Sequence, residues 1–394
     1  MPQLVPKRLL IFCPYSAGGL ADYGRAQARA ITTAEDIEVL WLAPANLEGP
    51  TDSRRVGALK QAGNRAGKGI RSRIKRALGF LGDCTGAVAQ LDDVIRREAP
   101  EAVLLVSYSE YFAPLWAWKL RQWRRRGIRF GAVVHDPVRD HQVGPRFWHR
   151  WSIAAAYSCL DVAFVHEPIQ LDTVRPMPGL RTVVIPHGLY EFQTERWDRN
   201  DARRKLELPL EAPVFLSFGH IRDGKNLGQF IQMMAEFPEI YLIVAGKEQS
   251  GGQKQASYYK ELALACCVDS RIRWDVRHVP ESETGLFFGA ADHLLLTYSS
   301  DFRSASGVLA AAAQFETPVL ASGGEGPMKS AIQRYRLGHF ADPSDPNSLR
   351  AGIQEVLTLP SKPDWEGFTK AHSWDVNASA VVKALFGGSD LKRY

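Results

Sequence analysis

Two cations three residues apart are the clearest candidates for chemistry in this sequence. Arg222 and Lys225 lie in Phe218-Gly219-His220-Ile221-Arg222-Asp223-Gly224-Lys225, directly after an apolar run that predicts a strand. A glycine-containing loop of this kind can direct both side chains at one diphosphate, since arginine donates to two oxygens and lysine adds a point charge. Most arginines and lysines are only solvated surface groups. The position after a strand favours anion binding over that alternative.

A second set of candidates could bind the same anion through backbone amides. Ser306, Gly307 and Val308 precede the alanine-rich run 310–313. If a helix begins here, its first N–H groups are free and its dipole favours negative charge, so the segment would bind phosphate oxygens. Ser306 would also be an ordinary N-cap of a buried helix, and the two roles are compatible.

Gly18 and Gly19 form a third candidate, within Ser16-Ala17-Gly18-Gly19-Leu20-Ala21-Asp22-Tyr23. Paired glycines ahead of a helix let the backbone approach a ligand closely. The spacing differs from the G-x-G-x-x-G of dinucleotide-binding proteins. A tight turn from strand to helix explains the glycines as well, so this motif alone is weak evidence for phosphate binding.

His135 follows the apolar run 130–134, where a strand should end. Ligands of parallel α/β sheets bind beyond the carboxyl ends of the strands. His135 is therefore either a ligand contact or a histidine that is hydrogen-bonded structurally within its loop. His166, His187 and His220 occupy similar positions. The sequence has no Asp-x-Asp, His-Glu-x-x-His or P-loop pattern, which disfavours metal-dependent transfer and predicts no metal site.

Two sheets are needed to position these residues. Short apolar runs alternate with helical stretches, as expected for parallel strands buried between helices. The runs are 9–13, 39–43, 103–106, 130–134, 162–165 and 183–185, then 214–218, 241–245, 272–274, 294–297 and 318–321. Two such series in 394 residues predict an α/β protein with two doubly wound domains.

The charge of the chain is unevenly distributed. Its net value is +6, but residues 1–190 contain 26 Lys and Arg against 17 Asp and Glu, and residues 191–394 contain 23 against 26. A basic half suggests an anionic partner, such as a membrane face, a phosphorylated substrate or nucleic acid. Nucleic acid is disfavoured because the sequence has none of the usual binding motifs.

The basic run from Arg54 to Arg76 concentrates this charge. It contains no acidic residue, and its second part alternates basic with apolar residues at helical spacing; the basic residues there include Arg71, Arg73, Lys75 and Arg76. A basic amphipathic helix is typical of membrane-surface binding, and these residues are the candidates for a membrane or acceptor surface. An ordinary surface helix and a disordered basic loop are the alternatives.

The five cysteines include no Cys-x-x-Cys pair, and the longest apolar stretch, 102–120, contains charged residues and a proline. These features argue against a disulfide framework, a cysteine zinc site and a membrane span. The N-terminal segment lacks the apolar core of a signal peptide. We therefore expect a cytoplasmic protein, either free or peripheral on the inner face of the membrane.

The three motifs together resemble those of the group 1 glycosyltransferases, the retaining family 4 enzymes with the GT-B fold. They are Gly18-Gly19-Leu20-Ala21-Asp22-Tyr23, Phe218-Gly219-x-Ile221-Arg222-x-x-Lys225, and Ser306-Gly307-Val308-Leu309 with Pro318-Val319-Leu320-Ala321. The resemblance covers nearly the whole chain. It implies two Rossmann-like domains facing a central cleft: an acceptor-binding domain at 1–190, a nucleotide-sugar-binding domain at 191–372, and a C-terminal helix at 373–394 that crosses back to the first.

The resemblance also implies residue roles. Arg222 and Lys225 would hold the donor diphosphate and stabilise the leaving nucleotide, and His135 would help to hold the donor sugar. The remaining donor-binding candidates are Gly18, Gly19, Ser306, Gly307, Val308 and Arg303. Many members carry two glutamates seven residues apart, whereas this sequence has Arg303 and Ala311 at those positions. The sugar and the nucleotide base therefore stay undetermined.

The implied function is the transfer of a hexose from a nucleotide-diphosphate sugar to a hydroxyl of a glycan or lipid-linked glycan, in polysaccharide or glycoconjugate synthesis. The anomeric configuration is retained, and no metal or other cofactor is expected, since the nucleotide sugar is a co-substrate. The missing glutamates motivate one alternative, a catalytically inactive GT-B protein that binds a partner in a polysaccharide assembly complex. Another is a nucleotide-sugar epimerase of the same fold.

Overall fold

The computed structural model describes residues 6–34, 36–60, 70–135, 137, 144–190, 192–249, 252–359 and 362–387, and for residues 70–78 and 80 it describes only the backbone. The described chain forms two compact units. Unit 1 runs up to Gly188 and resumes at Ser373, and unit 2 is Leu189–His372. The boundary between the two units thus lies after Gly188, whereas the sequence predicted it after residue 190.

Unit 1 is built on a seven-stranded sheet with the order β3-β2-β1-β4-β5-β6-β7, in which all neighbours are parallel. The strands are β1 (Lys7–Phe12), β2 (Ile37–Pro44), β3 (Arg54–Leu59), β4 (Ala102–Leu105), β5 (Arg129–Val133), β6 (Val162–Val165) and β7 (Arg181–Val184). The strand β3 was not predicted from the sequence. It is an edge strand whose first two residues, Arg54 and Arg55, are exposed, so its apolar part is short.

Helices cover both faces of this sheet. The first four are α1 (Gly19–Thr32), α2 (Ile70–Glu98), α3 (Ala113–Arg125) and α4 (Arg146–Tyr157). Leu91 of α2, Trp116 of α3 and Ile153 of α4 belong to one hydrophobic cluster, whereas Ile31 of α1 belongs to another. The two clusters show that α2, α3 and α4 share one face and that α1 covers the opposite one.

Unit 2 has a six-stranded parallel sheet with the order β10-β9-β8-β11-β12-β13. Its strands are β8 (Val214–Phe218), β9 (Tyr241–Ala245), β10 (Ile272–Asp275), β11 (His293–Thr297), β12 (Val319–Ser322) and β13 (Gly338–Ala341). Its helices are α5 (Arg199–Lys205), α6 (Leu227–Met233), α7 (Ala256–Ala265), α8 (Glu281–Ala290), α9 (Gly307–Phe315), α10 (Pro327–Arg334), α11 (Pro346–Thr358) and α12 (Trp365–Ala371).

The last helix, α13 (Trp374–Phe386), packs on unit 1 beside α1. Ser373 caps its start, because its Oγ accepts a hydrogen bond from the amide of Val376 at 3.3 Å. Near its end, the carbonyl oxygens of Ala384 and Leu385 accept bonds of 2.7 Å from Arg181 and Arg129. The final helix therefore belongs to the first unit.

Both sheets have the same strand order, 3-2-1-4-5-6, with one extra strand in unit 1. This is the Rossmann arrangement, and the chain connections reverse direction between β1 and β4 and between β8 and β11. Ligands of such sheets bind outside the carboxyl ends of the strands at this reversal. The loops after these four strands are therefore the places where a site is expected.

Candidate functional site

In unit 2, the loops that follow β8 and β11 lie next to each other because these two strands are neighbours. The amide of Ser299 donates to the carbonyl of Gly224 at 3.0 Å, and the hydroxyl of Thr297 donates to the carbonyl of Lys225 at 2.9 Å. These bonds hold the loop of the two cations against the strand that leads to Ser306.

Arg222 and Lys225 both extend from this loop, close enough for the charge of Arg222 to act on Lys225. The guanidinium carbon of Arg222 lies 5.7 Å from the ring centre of Tyr298 and 6.0 Å from that of Phe302, within cation–π range. Gly219 has a φ of +85°, and a Cβ built on it would lie 3.5 Å from Lys225 Nζ and 3.6 Å from Val308. The fold therefore brings the cation loop and the start of α9 together.

Lys225 is unusual for a lysine because only 9% of it is exposed. Its ammonium donates to the carbonyl of Phe218. Burial, and then the nearby charge of Arg222, lowers the pKa of Lys225 to about 7. An amine that is so poorly solvated gains more from an anionic ligand than a surface lysine does.

The surroundings of these residues are positively charged. The pKa of His220 is lowered first by burial and then by the charges of Lys225, Arg222, Lys247 and His278. In the part of the chain that the structure describes, no ion pair joins Arg222, Lys225 or Lys247 to a carboxylate. Clustered cations without a counter-charge in the protein are the electrostatic pattern of an anion site.

The start of α9 has the geometry expected from the sequence. Ser306 is the N-cap, and its Oγ accepts a hydrogen bond of 3.3 Å from the amide of Leu309. The hydroxyl of Tyr298 lies 3.4 Å from the same Oγ. The first amides of a helix have no partner within the helix, so those of Gly307 and Val308 suit an anion. Phosphate binding by this segment stays a prediction.

Arg303 occupies a different position from the other unit 2 candidates. Its side chain is exposed, and it packs against the glycines of the loop after β12. A Cβ on Gly324 would lie 3.0 Å from Arg303 Cγ, and one on Gly326 would lie 2.7 Å from the Arg303 carbonyl oxygen. These glycines therefore leave the room that Arg303 needs, and its donor contact stays a prediction.

In unit 1, the glycine motif lies between β1 and α1. Gly18 has a φ of +87° and is the N-cap of α1, and Gly19 is the first helical residue. No atom lies within 4 Å of a Cβ built on Gly18, so the loop is open at this point. The positive φ favours glycine, which fits the interpretation as a tight turn. The open space beside Gly18 would also admit a ligand. Both interpretations from the sequence stay open.

His135 lies two residues beyond β5 and is partly buried. Its Nε2 is 3.1 Å from the carbonyl oxygen of Val106. A carbonyl only accepts, so Nε2 carries the hydrogen and Nδ1 has the lone pair. Burial, followed by the charge of His187, lowers the pKa of His135 to about 3, so the ring is neutral at ordinary pH. A donor-sugar contact by this neutral ring stays a prediction.

Three histidines converge at this edge of unit 1 because β5, β6 and β7 are consecutive in the sheet. The ring centre of His166 lies 5.5 Å from that of His135 and 5.1 Å from that of His187. Tyr23 of α1 packs against all three rings at 4.7 to 5.7 Å. No group of three or more His, Cys, Asp or Glu among the described residues has a metal-binding arrangement.

A buried polar network holds Tyr23 in this cluster. The side-chain amide of Asn377 on α13 donates to the hydroxyl of Tyr23 at 3.0 Å and to the carbonyl of Pro186 at 2.7 Å. Gln27 donates to the side-chain oxygen of Asn377 at 2.8 Å. Sequence reasoning missed Gln27 and Asn377, since they are 350 positions apart and neither belongs to a recognisable motif.

The basic run after β2 has two structural parts. Arg54 is on the edge strand β3 and is paired with Glu38 and Glu98, at 2.8 and 2.9 Å. The predicted helical spacing is confirmed, because α2 begins at Ile70. The helix includes Arg71, Arg73, Lys75 and Arg76, whose side chains lie outside those described. Their role at a membrane or acceptor surface stays a prediction.

Comparisons with known proteins show that unit 2 is similar to glycosyltransferases. Residues 198–373 match the family model described as glycosyl transferases group 1. A D-inositol 3-phosphate glycosyltransferase of Mycobacterium leprae is 28% identical over 204 residues, which are 47% of this chain and 44% of that protein. The lipopolysaccharide core biosynthesis glycosyltransferase LpsE of Rhizobium meliloti is 29% identical over 158 residues, 39% of this chain and 42% of that protein. The chain thus spans less than half the length of these curated relatives.

Solved structures support the fold across both units. The sucrose-phosphate synthase of Thermosynechococcus elongatus is 19% identical with a TM-score of 0.61, over 97% of this chain and 95% of that one. Anabaena Alr3699/HepE, in complex with UDP and glucose, is 13% identical with a TM-score of 0.60, over 96% and 95%. Residues 198–373 are therefore similar to the group 1 glycosyltransferases, and the two Rossmann-like units of the chain have the GT-B fold.

Proposed function

We propose that the protein transfers a hexose from a nucleotide-diphosphate sugar to a hydroxyl of a glycan or lipid-linked glycan, with retention of the anomeric configuration. The observation that carries this proposal is the pair Arg222 and Lys225, which converge beside the start of α9 without a carboxylate partner in the described chain. Negative charge builds on the diphosphate as the glycosidic bond breaks. Fixed cations at that point stabilise the transition state more than the ground state.

The same residues support a transfer that needs no metal. A metal ion at such a site would neutralise the charge of the leaving diphosphate. Arg222 and Lys225 can supply that charge directly, and the amides at the start of α9 can add hydrogen bonds. Turnover that persists in the presence of a chelator is the expected result.

The choice of first substrates follows from the relatives. Solved structures of Alr3699/HepE contain UDP and UDP-glucose, which makes these the first ligands to test. LpsE is named for lipopolysaccharide core biosynthesis, which supports a role in polysaccharide or glycoconjugate synthesis. The match to the family model and the names of these relatives favour an enzyme over a non-catalytic binding protein.

We place the acceptor at the inner face of an anionic membrane, since unit 1 contains the basic half of the chain. Among the described helices, none combines the length and the apolar character that crossing a bilayer requires. We propose a peripheral contact, which the helical residues Arg71, Arg73, Lys75 and Arg76 would support by charge.

A thermal-shift panel of UDP, GDP and ADP, each with its hexose conjugates, tests the proposal. A ligand at one hundred times its Kd stabilises the folded state by about 2.7 kcal/mol, so one nucleotide of the panel should raise the melting temperature by several degrees. The stereochemistry of the product then follows from the anomeric proton coupling. If no nucleotide shifts the transition, the non-catalytic alternative is favoured instead.

The pKa of Lys225 predicts how nucleotide affinity depends on pH. The amine loses its proton near pH 7 in the free protein, whereas a bound diphosphate favours the charged form. Affinity for the nucleoside diphosphate should therefore fall by up to tenfold per pH unit between about pH 7.5 and pH 9. Calorimetry in two buffers of different ionisation enthalpy should show proton uptake on binding.

Lys225→Arg is the matched control, because arginine stays charged over this range. The affinity of this variant for the nucleoside diphosphate should be nearly independent of pH. A pH dependence seen only in the wild type can then be assigned to Lys225 rather than to titration of the ligand. If affinity fell equally with pH in the wild type and in the variant, this would contradict a titrating Lys225 in contact with the diphosphate.

A further inference from the structure

Large apolar side chains are exposed near the starts of two neighbouring helices of unit 1. Leu115 and Trp118 of α3 are each 45% exposed, and Phe147 and Trp151 of α4 are 71% and 54% exposed. Helices α3 and α4 pack against each other over one hydrophobic cluster. The four exposed side chains lie on two adjoining helices, whose outer surface is here named the α3–α4 face. Several large apolar groups exposed on neighbouring elements mark an interaction site.

The α3–α4 face is held rigidly. The indole of Trp148 and the hydroxyl of Ser152 both donate to the carbonyl of Tyr111 at 3.0 Å, and this fixes α4 to the segment before α3. The indole of Trp118 donates to the carbonyl of Leu115 at 3.1 Å. A surface that is already ordered loses little conformational entropy when a partner covers it.

The charge of the two helices narrows the choice of partner. Together α3 and α4 contain six Lys and Arg and no Asp or Glu, although Arg124 is paired with Asp161 and Glu110 lies just before α3. Arg146 and Arg150 are exposed on the same turns as Phe147 and Trp151. Lys119 Nζ lies 5.7 Å from the ring centre of Trp118. A second copy of the chain would bring like charges together, so the pattern favours an anionic partner.

An anionic bilayer matches this combination of groups. Tryptophan and phenylalanine are favoured at the level of the lipid headgroups, and leucine is favoured just below them. Arginine and lysine beside them would contact lipid phosphates, each contributing a factor of about five to partitioning. We propose that the α3–α4 face inserts into the interface of an anionic membrane. The lipid headgroup region is therefore the partner that covers the α3–α4 face.

The position of the face explains what such a contact would do. Helices α3 and α4 follow β4 and β5, so both begin at the carboxyl edge of the sheet, the edge that carries Gly18 and His135. A membrane bound there would present a lipid-linked acceptor next to that edge. This part rests on the proposed function, whereas the lipid contact itself does not.

Vesicle co-sedimentation without any nucleotide sugar tests the inference. The full chain should bind phosphatidylcholine vesicles that contain phosphatidylglycerol, and should bind pure phosphatidylcholine at least tenfold less. The double variant Phe147→Ser, Trp151→Ser should lose at least tenfold in partitioning to the anionic vesicles, and Arg150→Glu about fivefold or more. Brominated lipids should quench the tryptophan fluorescence of the wild type more than that of the double variant.

Matched controls come from other surfaces. Leu264→Ser with Leu359→Ser removes side chains that are 60% and 61% exposed in unit 2, and Arg29→Glu reverses an exposed charge on α1. Both controls should bind like the wild type. The Arg222→Ala variant should also bind normally, so a failure of sugar transfer does not affect this result.

Two outcomes would overturn the inference. One is that the wild-type chain binds anionic and zwitterionic vesicles equally, or that it binds neither. The other is normal binding of the α3–α4 variants together with loss of binding in Arg71→Glu, Arg73→Glu, which would assign the membrane contact to α2.

Discussion

Replacing Lys225 by methionine, or Arg222 by alanine, is expected to lower the kcat of sugar transfer by about 10²- to 10³-fold. Each variant removes a fixed positive charge from the place where the leaving diphosphate gains negative charge. Affinity for the nucleoside diphosphate should also fall, by about ten- to a hundredfold, since a charge-assisted hydrogen bond is lost. Methionine keeps most of the volume of Lys225, which is 9% exposed, so packing around it should survive.

Lys254→Ala is the matched control for these two variants. Lys254 is a cation of the same unit, and its ammonium lies 4.3 Å from the ring centre of Tyr258. Its backbone amide, which donates to Asp223 at 3.0 Å, is kept in the variant. Steady-state kinetics should give wild-type values for Lys254→Ala. Wild-type kcat and nucleotide affinity in both site variants would show that Arg222 and Lys225 do not contact the donor.

Replacing Arg203 by methionine is expected to destabilise unit 2 by about 3–5 kcal/mol. The Arg203 side chain is fully buried, and it donates to the carbonyls of Ala290, Leu210 and Ala212 at 2.7 to 3.0 Å. It is also paired with the Asp292 carboxylate at 2.5 Å. The variant leaves these acceptors without their donor, and it leaves Asp292 with Arg199 as its remaining cation.

Urea denaturation followed by far-ultraviolet circular dichroism measures this effect. The neighbouring Arg204→Met is the control, because Arg204 is 62% exposed and its pair with Asp201 should contribute less than about 1 kcal/mol. Adding Asp292→Asn to the Arg203→Met variant should restore part of the loss, since it removes a carboxylate that keeps only Arg199 as its cation. An Arg203→Met protein as stable as the Arg204→Met protein would refute the buried network as a source of stability.

Strands were predictable wherever both faces are covered. The runs 162–165, 214–218 and 241–245 coincide with β6, β8 and β9, because a strand between two helix layers needs apolar residues at every position. The edge strands β3 and β13 were missed. Only one side of each has a partner strand, and in RRVGAL and GHFA arginine, glycine or histidine occupies half of the positions.

The placement of the candidate residues was predictable to the extent that it is local. Arg222, Lys225 and Ser306 could be found because each follows a recognisable strand, and strand order then brings their loops together. The histidine cluster was predictable only in part. His135, His166 and His187 each follow a strand, but their packing against Tyr23 depends on the order of β5, β6 and β7 and on Asn377 from α13.

The sequence by itself determined the alternation of strands and helices, and with it the two doubly wound units and the loops that carry the candidate groups. These features depend on the periodicity of neighbouring residues, which is present in any short window of the chain. Only the tertiary structure decided which charged groups lose water. Lys225 and Arg203 are buried by segments distant in the sequence, and that desolvation sets the pKa of one and the stabilising role of the other.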